Sequence, residues 1–136
     1  MVLTDEQIRS ALERARTIAV VGLSDNPSRP SHRVAAYLQR QGYRIIPVNP
    51  NLRGPVLGEQ PYASLRDIPV HVDIVDIFRR PEHVPGVVED AIAIGADLVW
   101  MQLGVGSRAA AERAAAAGLG VVMERCMAVE HGRLMA

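Results

Sequence analysis

The sequence contains no lysine: every basic side chain is an arginine, and the 15 cations are matched by 15 acids to a formal charge of zero. With no net field, nothing draws the whole molecule to nucleic acid or to an anionic membrane. Any anion site must then be built from planar guanidinium forks. Cysteine occurs once, as Cys126, which excludes an internal disulfide and fits a reducing, cytoplasmic setting. No apolar run approaches the ~20 residues of a membrane span, and the opening MVLTDEQIRS is acidic and amphipathic, unlike a signal peptide. Three motifs are also missing: the dinucleotide fingerprint G-x-G-x-x-G, the Walker A G-K-[ST] and the hydrolase G-x-S-x-G. The histidines, His32, His71, His83 and His131, show no metal-ligand spacing with one another or with Cys126. No metal is expected.

What is present is a packed globule. Nearly half of the chain is apolar, 49% of 136 residues, enough for one domain over 1–136 that needs no staple. Thr4 and Gln7 form a capping box, Leu3 and Ile8 a hydrophobic staple, and apolar residues at helical spacing predict a first helix over 5–15. Five short apolar runs follow: 17–21, 43–48, 72–78, 97–103 and 119–123. They are β-branched on successive positions, as in strands buried on both faces of a parallel sheet. Between them lie helical patterns opening at Ser31 and at Ser107, closed by Gly42 and Gly118, and a third around Val87–Ile92 that Pro85 disturbs. The stretch CMAVEHGRLM reads as a short helix packed on the sheet edge. Repeated strand–helix alternation predicts an α/β, doubly wound, Rossmann-like domain: five parallel strands in the order 3-2-1-4-5, helices on both faces. The ligand crevice is then expected at the carboxyl ends of strands one and four.

The first loop, VGLSDNPSRPSH (21–32), carries the clearest chemical signal. It leaves strand one for a helix N-terminus, where free amides and the helix dipole favour a phosphate. Gly22 permits close approach; Ser24, Ser28 and Ser31 bring hydroxyls; Arg29 brings a guanidinium; two prolines pre-order the turn. Strand two ends in PVNPNLRGPVLG, with Arg53 where an NAD site would hold an acid. That suits NADP or the 3′-phospho-ADP portion of coenzyme A. Arg79 and Arg80 follow strand three at the same edge and can fork onto a phosphate. Asp73 and Asp76 within strand three are unusual; if buried they need partners, and pairing with arginine is expected.

VVGLSDNPSRPSH, GYRIIPVNPN, DIFRRPEHV, LVWMQLGV and RCMAVEH occur in this order over roughly 17–134. Together they resemble the family of small stand-alone CoA-binding-domain proteins, similar in turn to the nucleotide-binding part of the succinyl-CoA synthetase α subunit. The resemblance implies CoA or an acyl-CoA as ligand. Gly22, Ser24, Ser28 and Arg29 would line the pyrophosphate. Pro47, Val48 and Asn49 would border the adenosine, with Phe78, Arg79, Arg80 and Val84 on its other side. Gln102 and Gly104 would approach the pantetheine arm. Leu23 and Asp25 depart from the family pattern; Asp25 would weaken binding unless it turns outward or pairs with Arg29.

For chemistry, the one candidate is Cys126, at the start of the last helix. Three readings follow. The first is non-catalytic binding of CoA or an acyl-CoA, as sensor or carrier, with no catalytic residue assigned. The second is an enzyme exchanging thiols or thioesters through Cys126. The third is a subunit with a vestigial crevice that works through protein contacts. An NADP oxidoreductase comes last, since a bare half-fold leaves no substrate domain.

Overall fold

A computed structural model describes residues 3–135; Met1, Val2 and Ala136 of the expected 1–136 unit lie outside them. Helix α1 (Asp5–Arg14) opens with the predicted capping box: Gln7 N donates to Thr4 Oγ1 at 3.1 Å and Thr4 N to Gln7 Oε1 at 2.8 Å. Then follow β1 (Thr17–Val21), α2 (Pro30–Arg40), β2 (Arg44–Val48), β3 (Ile74–Ile77), α3 (Val84–Ala93), β4 (Leu98–Met101), α4 (Arg108–Ala116), β5 (Gly120–Met123) and α5 (Met127–Leu134). The expected strand runs and these strands coincide, trimmed at their ends. Pro85 does not break α3. It sits in the first turn, where its missing N–H costs nothing. None of the described helices is long and apolar enough to cross a membrane.

All strand neighbours are parallel, and the order is β2-β1-β3-β4-β5. The α/β class and the flanking helices match expectation; the order 3-2-1-4-5 does not. The reason lies in residues 49–73, which hold no α-helix, only a 3-10 turn at Leu65–Asp67. Leu65, Ile68 and Val72 pack against the sheet on the α3 side, carrying the chain past β1 to its free flank. Every residue of β3 is buried, so an interior place suits it, whereas β2 at the rim starts with exposed Arg44. The direction of winding therefore reverses between β1 and β3, and the crevice lies there, not at strands one and four.

Two cores flank the sheet. On one face Val21, Val75, Ile77 and Val99 meet α3 and α4; on the other Ile18, Val20, Ile74 and Trp100 meet α1, α2 and α5. Helix α5 is not an edge helix as expected. Met127 is fully buried, and α5 packs against both α1 and α2 over the sheet face. Arg133 binds Asp5 and Glu130, locking α5 to α1.

Candidate functional site

At the end of β1 the chain turns sharply at Gly22, with φ +87. A Cβ there would lie 2.3 Å from the Phe78 carbonyl oxygen and 3.1 Å from Arg79 Cδ. Only glycine lets the loop lie this close to the end of β3. Gly22 N donates to Val48 O at 2.8 Å, and Asn49 Nδ2 donates to Leu23 O at 3.1 Å, so the loops after β1 and β2 are bracketed together. Leu23 is fully buried in the core under α2. Its bulk anchors the loop from below.

Past Leu23 the loop is organised by its own side chains. Ser24 N donates to Ser31 Oγ at 3.0 Å, Asn26 N to Ser24 Oγ at 3.0 Å, and Ser28 N and Oγ to Asn26 Oδ1 at 3.0 and 2.8 Å. Arg33 donates to Ser28 O. Helix α2 begins at Pro30, one residue before the expected Ser31, with Pro at its first position and no side-chain cap. Among the described residues, the amides of Leu23, Asp25 and Ser31 meet no protein acceptor. Leu23 is fully buried, so the amides of Asp25 and Ser31, the latter at the N-terminus of α2, remain for an outside acceptor.

A cavity of about 340 Å³ lies here, lined by Gly22, Ser24, Arg29, Pro30, Ser31 and Phe78. Of the predicted residues it brings together Gly22, Ser24, Arg29 and Phe78, and the Arg79 stem runs beside Gly22. Phe78 is half-buried, packing on the core with one side and lining the cavity with the other. Arg80 is exposed beyond Arg79, ahead of a 3-10 turn at Pro81–His83. Arg29, Arg53, Arg79 and Arg80 have no carboxylate partner among the described residues; of these, Arg29 lines the cavity and Arg79 runs beside Gly22. Asp25 is exposed and makes no ion pair with Arg29.

The other predicted residues lie elsewhere. Pro47, Val48 and Val84 are buried, the two valines in the core, and the carbonyls of Pro47 and Val48 accept from Tyr62 N and Gly22 N. They do not line the cavity. Gln102 is buried, its Oε1 accepting from Met127 N at 3.0 Å to cap α5. Gly104 N donates to Glu124 Oε2 at 3.2 Å, and Gly106 N to Glu124 Oε1 at 2.9 Å. Glu124, at φ +57, latches the β4–α4 loop, and no local sequence pattern announced it. Pro30 was missed as a wall residue, although S-R-P-S is a helix start with proline at its first position.

The expected arginine pairing of the strand-three acids is corrected. Asp73 Oδ2 accepts from Arg16 N at 2.7 Å and Thr17 N at 2.9 Å, backbone donors at the foot of β1. Its other oxygen faces His71, 3.4 Å away, which also meets Asp97 at 3.3 Å; this cluster sits at the amino edge of the sheet, opposite the crevice. Asp76 is fully buried between Val20 and Trp100, and neither oxygen has a partner. Burial pushes its carboxyl well above the usual range, so it is held as the neutral acid. No guanidinium reaches the centre of the sheet. Cys126 is the N-cap of α5, half-buried against the α2-side core. His131 serves another purpose: Nδ1 meets Tyr37 OH at 3.0 Å, tying α5 to α2.

The comparisons with known proteins concern the family and the fold. The chain is 42% identical over 125 residues to the uncharacterized protein YneT of Bacillus subtilis, covering 92% of each. A hypothetical protein from Pyrococcus horikoshii OT3 superposes with a TM-score of 0.95 at 44% identity, over 98% of this chain and 94% of that one. The dinucleotide-forming acetyl-coenzyme A synthetase 1 of Ca. Korarchaeum cryptofilum, in complex with phosphate and ADP, matches at TM-score 0.67 and 26% identity. That match spans 77% of this chain but 25% of the synthetase. Residues 16–132 match the model of the CoA binding domain, and the chain is a member of that family.

Proposed function

We infer that this chain binds coenzyme A or an acyl-CoA at the carboxyl edge of its sheet without transforming it, as a carrier or sensor. The observation that carries the reading is the loop after β1: the unpartnered Ser31 amide at the head of α2 lines a cavity together with the unpaired Arg29, and the exposed Asp25 amide of the same loop is also without an acceptor. A pyrophosphate accepts from these amides and from the guanidinium. Phe78 offers an aromatic face to adenine, and the half-buried Arg79 with the exposed Arg53 and Arg80 suit the 3′-phosphate that separates CoA from plain ADP. Asn49 holds the two loops in register. Gln102 and Gly104 act on the pantetheine arm only through the loops they fix.

Calorimetry with CoA, dephospho-CoA and NADP tests the reading. CoA is expected to bind most tightly, with Arg29→Ala lowering affinity about tenfold, the scale of one charge-assisted contact. No CoA binding at millimolar ligand would overturn it. Turnover of an acyl-CoA that depends on Cys126 would replace binding by exchange chemistry.

A further inference from the structure

Strand β5 is the last of the sheet, and no described residue pairs with its outer edge. Gly120 N donates to Asp97 O at 2.9 Å on the β4 side. The alternation of a parallel ladder then turns Gly120 and Val122 toward β4, leaving the N–H and C=O of Val121 and Met123 pointing outward. No described residue takes them up. The strand, Gly-Val-Val-Met, has no charge and no proline, the devices that ordinarily discourage edge pairing. Along it runs a hollow of about 580 Å³, larger than the crevice at β1, with Leu3 and Ile8 on one wall and Ala111 on the other. On its rim, Arg108 and Glu112 stand four residues apart on α4, neither in an ion pair among the described residues.

We propose that this edge docks a second copy of the same chain, β5 against β5, antiparallel about a two-fold axis at Val122. In that register Val121 exchanges both backbone groups with the partner's Met123, and Met123 with the partner's Val121, so every outward group is satisfied and the sheet runs on through both copies. The two-fold also reverses α4 against its counterpart. Arg108 then faces the partner's Glu112, and one cation with one anion on the same helix is complementary to itself. A partner of one charge sign would leave one of the two unmatched, which is why a second copy is the better occupant. The inference stands apart from the CoA reading, since it uses the opposite flank of the sheet.

Sedimentation velocity on the full chain over rising concentration is expected to show a monomer–dimer equilibrium. Met123→Pro removes an outward donor while sparing the groups that face β4; it should weaken the dimer about tenfold or more. Should that variant not fold, Arg108→Glu is read instead. It puts like charges across the axis and should weaken association several-fold, with Arg108→Glu/Glu112→Arg restoring it. A wild-type chain that stays monomeric at millimolar concentration overturns the proposal. So does a dimer whose dissociation constant is unmoved by Arg108→Glu.

Discussion

Two loops leave the carboxyl edge of this sheet, one after β1 and one after β4, and both present backbone amides at a helix N-terminus. They spend those amides differently. After β4, Gly104 N and Gly106 N donate to the Glu124 carboxylate, Ser107 caps α4, and Gln102 caps α5. After β1, side chains of the loop fasten it to itself and to Ser31, yet Asp25 and Ser31 keep free N–H groups in the loop that carries an unpaired arginine. A loop whose amides are already met by an anion from elsewhere in the fold is a structural element. One that is rigid and still lacks an anion is prepared for a ligand, because little ordering entropy remains to be lost on binding.

Substitution separates the two. The largest effect belongs to Gly22→Ala, which places a methyl 2.3 Å from the Phe78 carbonyl at a left-handed φ. It should cost about 2–4 kcal/mol of stability and abolish CoA binding, read by denaturant unfolding and calorimetry; a variant that binds normally would mean the crevice is not where the ligand sits. Next is the interior of the sheet behind the crevice. Asp76→Val, on the strand that leads to Phe78, should raise stability near neutral pH by roughly 1–3 kcal/mol, the cost of burying an unsatisfied polar group. The sign follows from burial. The native carboxyl titrates well above the unfolded value of 3.8, so stability is fully present below that value and is lost as pH rises through the native one. Urea titrations across pH should show this slope in the wild type and its absence in the variant.

Glu124→Gln is the counterpart at the second loop. Loss of the charged acceptor for two glycine amides should lower stability by about 1 kcal/mol and leave CoA affinity within about twofold. Should affinity fall as steeply as in Arg29→Ala, the two loops are functionally equivalent and the contrast fails. The smallest effect concerns His131. Its burial lowers the imidazole below its ordinary 6.5, so the native state favours the neutral ring. Stability should be flat above that pH and decline as the pH falls below it; Tyr37→Phe should leave this trend in thermal melts, since desolvation causes it.

Much of the first loop was legible because its chemistry is local. Gly22, the serines, Arg29 and the paired prolines announce a turn after a strand that its own side chains hold, and the five motifs named the family. Pro47, Val48, Val84 and Gln102 belong to the same motifs but meet the core or cap a helix, which a linear pattern does not distinguish from touching a ligand. Ser28 shows the same limit, its hydroxyl donating to Asn26. Asp76 misled for another reason. A charged residue in a strand suggests a counter-ion, and only packing reveals that no guanidinium reaches it.

By itself the sequence determined the local elements: that these strands and helices exist and roughly where they lie, that Thr4 and Ser107 cap α1 and α4, and that one loop is rich in glycine, serine, arginine and proline. Those follow from propensity, periodicity and hydrogen bonds across a few residues. Strand order, the crevice at β1 and β3, the Glu124 latch and the edge place of β5 were decided only by tertiary structure. Each depends on which distant segments meet, and that choice was made by burying β3 on both faces in the middle of the sheet.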